Sequence, residues 1–179
     1  MKILVASDIH GRLNRMKILK NRIDEFNPEK IFLLGDYMYN GPRNGVPDDY
    51  DPMEVSNLLN LYADKIIGVR GNCDSRVDEW LLSFHLEDVR RFELGGHYFD
   101  LYHGDEFTQN LLKTEDGDIL ISGHTHIQVL EKSGGNVYLN PGSISFPKGG
   151  NEPSYATIED DLITIRRLEN GSKIMELKL

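Results

Sequence analysis

Seven side chains that can bind a transition metal follow five predicted strands of this sequence. The apolar segments ILVAS, IFLLG, KIIGVRG, YFDLY and DILISG each end just before one or two of them, which are Asp8, His10, Asp36, Asn72, His103, His124 and His126. Because the carboxyl ends of strands in a parallel or mixed sheet meet at one edge, where ligands usually bind, we expect the seven to converge. These donors are too many for one ion, so the pattern predicts a two-metal hydrolase.

The donor types narrow the chemistry. Aspartate, asparagine and histidine without a cluster of thiolates favour Mn, Fe, Zn, Ni or Co over a structural zinc site of the cysteine type. Asp8 and Asp36, even with a bound hydroxide, do not neutralise two divalent cations, so the centre stays net positive. Such a centre attracts and orients a compact anion, and phosphate esters are the obvious class.

Two pairs of donors are separated by a single residue, in Asp8-Ile9-His10 and in His124-Thr125-His126. In extended geometry both members of a pair point the same way, so we expect each pair to serve a shared centre. Ile9 would then pack on the opposite side, and Gly11 and Gly123 would leave room for tight turns beside the ions.

Each position also has an ordinary interpretation. A single aspartate or histidine at a strand end is more often a cap, a turn residue or a solvated surface group. The segment Gly71-Asn72-Cys73-Asp74 could be only a turn, because glycine, asparagine and aspartate are the usual turn formers. Taken together, the seven donors in this order favour a metal site over these ordinary interpretations. His85 and His97 lie outside the set and are assigned no role.

Composition excludes several classes of function. With 179 residues and 39% hydrophobic content, we expect one domain over residues 1–179. The net charge of -9 disfavours an extended nucleic-acid groove. The single cysteine, Cys73, and an N-terminus without a signal-peptide pattern indicate the cytoplasm. No segment approaches the roughly 18 apolar residues needed to span a bilayer, so no membrane partner is expected.

The first half of the chain alternates strand and helix signals, and the second half is mostly strand. Helix signals follow Leu13 up to Asn27-Pro28 and start again at Pro52, with Asp51 as the cap. The long loop from Tyr37 to Asp51 should border the site. Glycine pairs predict hairpins, and a short helix is plausible through Trp80. The predicted strands are 2–7, 30–34, 65–69, 89–94, 98–102, 118–122, 127–132, 136–140, 154–159, 162–168 and 173–178.

This order predicts an α/β fold of two mixed β-sheets packed as a sandwich with flanking helices, rather than a purely parallel doubly wound sheet.

The five blocks of donors, taken in order, resemble the signature of the calcineurin-like metallophosphoesterases. The blocks are Asp8-x-His10, Gly35-Asp36, Gly71-Asn72-x-Asp74, His103-Gly104 and Gly123-His124-x-His126. Within that superfamily, the chain resembles the small YfcE-type phosphodiesterases of bacteria and archaea. This subfamily resemblance uses the chain length, the cysteine after Gly71-Asn72 and the blocks 40–44, 140–143 and 147–150.

The resemblance implies how the ligands divide and what they do. One divalent ion would be held by Asp8, His10 and His126, and the other by Asn72, His103 and His124. Asp36 would bridge the ions, so that Asp36 and Asn72 count as catalytic residues as well as ligands. Manganese is expected first, with Zn, Ni, Fe or Co as alternatives. A hydroxide bridging the two metals would attack a small phosphodiester in line, without a covalent enzyme intermediate.

Three further residues near these blocks are candidates. In many members of the superfamily, the residue after Gly-Asn is a histidine that is thought to protonate the leaving oxygen. This chain has Cys73 there, and Cys73 is a candidate for substrate binding. A thiol stabilises a leaving alkoxide less than an imidazolium does, which predicts weak activity on alkyl phosphomonoesters; a small buried turn residue is the alternative. Arg43 could bind a phosphate oxygen through two hydrogen bonds, or could be a solvated loop residue. Asp74, the last catalytic candidate, would orient a ligand or a backbone group.

A second class of function stays open. The retromer subunit of this fold indicates that the architecture can act as a non-catalytic protein-binding scaffold. Scaffold members tend to lose signature histidines, and this sequence retains every one, which favours an enzyme. Exposed apolar residues of the loop could support a homo-oligomer.

Overall fold

The computed structural model describes all residues from 1 to 179 and contains two mixed sheets. Three α-helices are α1 (Leu13–Phe26), α2 (Pro52–Asn60) and α3 (Glu106–Gln109), and a 3₁₀ helix spans Asp78–Trp80. The strands are β1 (Lys2–Ala6), β2 (Lys30–Leu33), β3 (Ile66–Val69), β4 (Leu86–Glu87), β5 (Val89–Leu94), β6 (His97–Tyr102), β7 (Ile119–Ile121), β8 (Gln128–Ser133), β9 (Asn136–Pro141), β10 (Ser154–Glu159), β11 (Leu162–Arg167) and β12 (Lys173–Lys178).

The larger sheet has the strand order β12-β11-β10-β1-β2-β3-β4, and the smaller sheet has the order β5-β6-β7-β9-β8. Strands β1 to β4 run parallel in the first sheet, and β6, β7 and β9 run parallel in the second. Strand β10 pairs antiparallel with β1, and β11 and β12 extend the larger sheet beyond it. Hairpins add the antiparallel strands β5 and β8 at the edges of the smaller sheet. The predicted sandwich is confirmed, although β4 and α3 were not predicted.

Alternation along the central strands produces two cores. On β1, Ile3 and Val5 face the smaller sheet, whereas Leu4 and Ala6 face the helices. Because both faces are covered, these strands are apolar at nearly every position. One core of 16 buried residues lies between the sheets, and another of 18 lies beneath α1 and α2. None of the helices has both the length and the apolar composition required to cross a bilayer.

Local chemistry sets the predicted helix ends. Helix α1 ends at Phe26, and the next residue, Asn27, adopts a left-handed conformation with φ 46° and is followed by proline. Helix α2 begins at Pro52, and the Asp51 carboxylate accepts a hydrogen bond from the Glu54 amide at 3.0 Å. These ends fix the loops that lead to the site.

An ion cluster of two buried aspartates and one exposed arginine joins neighbouring strands of the smaller sheet. Arg91 on β5 donates to Asp100 on β6 at 3.1 Å and to Asp118, directly before β7, at 2.8 Å. Burial and the adjacent Asp118 raise the pKa of Asp100 to about 6. Burial would also raise the pKa of Asp118, but Arg91 lowers it. Asp100 is therefore the carboxylate whose charge is costly.

Replacing Asp100 by asparagine should stabilise the protein at pH 8. The cost of the Asp100 charge is absent below the ordinary aspartate pKa of about 3.9 and is fully present above the folded pKa of about 6. Asparagine removes the cost and leaves Arg91 paired with Asp118. We expect a gain of about 1 kcal/mol at pH 8, allowing for screening by solvent, and none at pH 3.5, measured by urea unfolding.

Asp118→Asn is the matched control. Its carboxylate also accepts a hydrogen bond from the Glu115 amide at 2.6 Å, so its replacement should destabilise the protein at pH 8. An Asp100→Asn effect of equal size at both pH values would contradict the titration argument.

Candidate metal centre

All seven predicted donors lie in loops at the carboxyl ends of parallel strands. Asp8 and His10 follow β1, Asp36 follows β2, and Asn72 follows β3 in the larger sheet. In the smaller sheet, His103 follows β6, and His124 and His126 follow β7. The packing of the two sheets brings these loops together at one edge of the sandwich.

The backbone of the paired donors differs from the extended geometry expected from their spacing. Asp8 and His10 have φ values of 56° and 52°, and His124 and His126 have 64° and 61°. Each pair therefore lies in a turn of left-handed residues beyond the end of its strand, and His124 and His126 reach different donor groups. Left-handed backbone costs about 1 to 2 kcal/mol per residue, which concentrates strain at this site. Ile9 does pack in the core, as expected.

Two glycines allow the loops after β2 and β3 to touch. A Cβ on Gly71 would lie 2.2 Å from Asp36 Oδ1, and one on Gly35 would lie 2.4 Å from the Gly71 amide nitrogen. Both distances are shorter than real Cβ contacts, so a larger residue at position 71 would displace the Asp36 carboxylate, and one at position 35 would push the two loops apart.

The first donor group consists of Asp8, His10 and His126. The Asp8 Oδ1 atom lies 3.1 Å from His126 Nε2 and 3.8 Å from His10 Nε2, and the two Nε2 atoms are 3.3 Å apart. All three residues are buried.

The second donor group consists of Asn72, His103 and His124. The Asn72 Oδ1 atom lies 2.9 Å from His103 Nε2 and 2.8 Å from His124 Nδ1, and the two ring nitrogens are 3.2 Å apart. His103 is buried, whereas Asn72 is exposed, so this group forms the open side of the site.

Asp36 joins the two groups. Its Oδ2 atom lies 3.6 Å from His10 Nε2, and its Oδ1 atom lies 3.6 Å from His103 Nε2. The Cys73 amide donates to Oδ1 at 2.8 Å and fixes the carboxylate between the groups. One carboxylate thus faces both donor groups, one oxygen to each.

The histidine tautomers follow from their outer contacts. In His10, His103 and His126, the Nδ1 atom lies between 2.6 and 2.8 Å from a backbone carbonyl oxygen. A carbonyl only accepts, so Nδ1 carries the proton and, in the neutral ring, Nε2 presents a lone pair to the site. The three carbonyls belong to Tyr39, Leu34 and Phe146.

The donor set fits metal cations. The lone pairs of His10 and His126 face each other beside Asp8 Oδ1, which is buried without a hydrogen-bond donor. Such acceptors repel one another unless positive charge lies among them. Burial would raise the pKa of Asp8, but His126 and His103 lower it. Burial, and next the neighbouring His103, lower the pKa of His124, so its ring offers a lone pair more readily than a solvated histidine does.

Asp74 lies behind the donors and organises the backbone. Its Oδ2 atom accepts hydrogen bonds from the amides of Asp36 and Gly71, and its Oδ1 atom accepts one from Tyr37, each at 2.8 Å. Burial and the charge of Asp36 raise the pKa of Asp74 to about 7, against the effect of these amides. These contacts place Asp74 against the backbone behind the donors rather than among them.

Cys73 is half-buried at the edge of the donor cluster. Its sulfur lies 3.4 Å from Asn72 Nδ2, and it can approach His10 and Asp36 as part of a third possible donor group. The strand-end pattern of the sequence does not include this thiol among the donors. Burial and the nearby carboxylates, first Asp36, raise the pKa of the thiol to about 12.

A cavity of about 300 Å³ opens onto the donors. Arg43 and Lys148 line it, and neither side chain forms an ion pair or hydrogen bond within the protein. Two uncompensated cations at the rim attract an anionic substrate. Arg43 was predicted from the sequence as a candidate for substrate binding. Lys148 was not, although it lies in the block 147–150 that carried the subfamily resemblance.

The sandwich and its donor cluster at the carboxyl ends of the strands define the metallophosphoesterase class of protein. Residues 1–161 match the calcineurin-like phosphoesterase superfamily domain. The chain belongs to this superfamily, and the predicted family is confirmed.

Individual relatives agree with this assignment. The chain is 38% identical to phosphodiesterase YfcE of Escherichia coli K12 over 188 aligned positions, which cover 100% of this chain and 98% of YfcE. It is 31% identical to the probable metallophosphoesterase YsnB of Bacillus subtilis, over 99% and 97% of the two chains. The solved structure of E. coli YfcE, a phosphoesterase, superposes with a TM-score of 0.94 over 99% of both chains. The chain is thus an enzyme of the metallophosphoesterase family.

The fold also occurs in Vps29. The structure of a Vps29 variant from Entamoeba histolytica has a TM-score of 0.65 and 23% identity, over 100% of this chain and 99% of that one. At this identity the likeness concerns the fold alone.

Proposed function

We propose that this enzyme is a metal-dependent phosphodiesterase that hydrolyses small phosphodiesters by direct in-line attack of water on phosphorus. The observation that carries the proposal is the pair of donor groups joined by Asp36, one oxygen to each. Two divalent cations held there would supply Lewis acidity and lower the pKa of the attacking water. Manganese is the first choice, and a cytoplasmic location is part of the proposal.

The residues of the chain divide the remaining work. Asp8, His10 and His126 would hold one cation, and Asn72, His103 and His124 the other; the backbone carbonyls behind three of the histidines orient their rings. Asp74 keeps the loops after β2 and β3 in register by accepting from the amides of both.

The rim suits a compact phosphate ester anion. Arg43 and Lys148 provide positive charge at the mouth of the cavity. The cavity is large enough for a small phosphodiester but too small for an extended polymer. Cys73, with its raised pKa, offers a poor acid to a leaving alkoxide, which suits diesters with good leaving groups. The relative YfcE is named a phosphodiesterase, which supports the same substrate class.

The test uses protein stripped of metal with a chelator and then titrated with Mn²⁺. Hydrolysis of bis-p-nitrophenyl phosphate should be absent in the stripped protein and should rise to a plateau at two ions per chain. Zn²⁺, Ni²⁺, Fe²⁺ and Co²⁺ are compared in parallel. Unchanged hydrolysis after stripping, or none with any of these ions, would overturn the proposal.

A protein-binding scaffold is the alternative function, and the Vps29 likeness is its support. The complete donor set and the similarity to YfcE favour the enzyme. Turnover of the diester in the experiment above separates the two functions.

Replacing Arg43 by alanine should weaken substrate binding. Arg43 lines the cavity and has no partner within the protein, so its guanidinium is free to bind a phosphate oxygen. We expect KM for bis-p-nitrophenyl phosphate to rise about 10-fold, because the substitution removes one charge-assisted hydrogen bond to the substrate. The kcat should change less, and the bound metal should stay constant.

Arg76→Ala is the matched control, since Arg76 is exposed and lies outside the cavity. Loss of bound metal in Arg43→Ala, in step with the loss of activity, would instead assign Arg43 a structural role.

A further inference from the structure

A second cavity, here named the side cavity, adjoins the donor site across Cys73. It measures about 340 Å³ and lies between the loop 37–51 and the segment that follows Cys73. Cys73 lines both the side cavity and the cavity over the donors. Cys73 is the residue that the two linings share, so a group attached to phosphorus at the donors would reach the side cavity by extending across Cys73.

The walls of the side cavity are mainly apolar. Its apolar lining residues are Met38, Tyr39, Tyr50, Pro52 and Leu81. Tyr39 is 45% exposed although it is a large aromatic residue. Two tyrosines and flat aliphatic surfaces suit a planar ring, because aromatic rings pack favourably edge to face or offset.

The charge pattern differs from that of the cavity over the donors. No cation lines the side cavity, and its one acidic residue, Asp78, accepts a hydrogen bond from the Ser75 amide at 2.8 Å. Arg43 and Lys148, by contrast, line the neighbouring cavity. The phosphate charge is thus favoured over the donors, and an uncharged substituent is favoured beyond Cys73.

We propose that the side cavity is a specificity subsite for the aromatic ring of one ester group of the substrate. This inference rests on the proposed phosphodiesterase function and narrows its substrates to diesters with an aryl or nucleobase substituent. Tyr39 is the residue that contributes most to ring binding, since it combines an aromatic face with exposure at the cavity.

Competition measures the subsite directly. Methyl phenyl phosphate and dimethyl phosphate carry the same charge and differ by one ring, and each is tested as a competitor of bis-p-nitrophenyl phosphate on the Mn²⁺-loaded enzyme. Burial of the ring should make the phenyl compound bind about 10-fold more tightly or better. Thymidine 5′-methyl phosphate forms a third arm, and tighter binding than that of methyl phenyl phosphate identifies the ring as a nucleobase.

Two variants test whether the preference for the phenyl compound over the methyl compound comes from the side cavity. Tyr39→Ala keeps the backbone carbonyl that accepts from His10 and should reduce the phenyl-to-methyl binding ratio about 3- to 10-fold. Ser75→Trp should reduce the ratio by filling the cavity from its rim. Tyr98→Ala is the control, because Tyr98 is also 45% exposed but lies on β6, away from the cavity.

The outcomes separate this inference from the proposed function. A ratio that falls in either variant and not in Tyr98→Ala supports the subsite. A wild-type ratio near one, or a ratio that neither variant lowers, overturns it even when the enzyme hydrolyses the diester. Absence of hydrolysis with every metal overturns the proposed function, and titration calorimetry then gives the same binding ratio without turnover.

Discussion

Replacing Asp36 by asparagine should lower kcat/KM for bis-p-nitrophenyl phosphate by roughly 10³-fold or more, because several kcal/mol of transition-state stabilisation depend on the metal pair. The substitution removes one negative charge from the point between the two donor groups. Asparagine tolerates the left-handed backbone of position 36, where φ is 58°, and can still accept from the Cys73 amide. The loss should therefore come from the metal centre and not from the fold.

Metal analysis and thermal unfolding check this explanation. Asp36→Asn should bind fewer than two ions per chain at an ion concentration that saturates the wild type, while the metal-free proteins unfold at similar temperatures. Asp48→Asn, in the exposed part of the same loop, is the matched control and should behave as the wild type. An Asp36→Asn protein that keeps more than about a tenth of the activity would contradict the bridging role, since that loss amounts to only about 1.4 kcal/mol.

Replacing Cys73 by histidine should have the second largest effect, through substrate selectivity. An imidazolium at this position can donate a proton to a leaving alkoxide, which the Cys73 thiol, with its pKa raised to about 12, does poorly. General acid catalysis contributes about 10²- to 10⁴-fold, so we expect the ratio of alkyl phosphomonoester to diester turnover to rise roughly 10²-fold. Room for the larger ring exists because Cys73 borders two cavities.

Cys73→Ser is the control for this experiment, since it changes the side chain without adding an acid that titrates near neutral pH. The ratio of monoester to diester rates, measured at several pH values with p-nitrophenyl and alkyl substrates, should stay low in Cys73→Ser. An unchanged ratio of monoester to diester turnover in Cys73→His would contradict the proton-donor role of position 73. Cys73 would then be only a small residue of the turn.

Much of the fold follows from local patterns. Strand β1 is apolar at nearly every position because both of its faces are covered, and that pattern is visible in the sequence. The start of α2 follows from Asp51 and Pro52, and the hairpin of β5 and β6 follows from Gly95-Gly96, whose φ values are 64° and 82°. The short strand β4 and helix α3 escaped prediction because two to four residues carry no periodic signal.

The donor types and their order along the chain are visible in the sequence, because each of the seven follows a strand and parallel strands place such ends at one edge of their own sheet. The packing of the two sheets against each other then brings the two edges together. It also identified the family. The left-handed backbone of Asp8 and His10 was not predictable from spacing, because only the tertiary packing of the loops imposes that conformation.

The arrangement of the donors depends on tertiary packing. The attachment of Asp74 to amides on two different loops, the outward position of Lys148 and the place of Cys73 between two cavities each depend on segments distant in the chain. Such contacts are set by the packing of the two sheets against each other. Residue types fix the chemistry that is available, whereas packing fixes which atoms face one another and therefore which chemistry can occur.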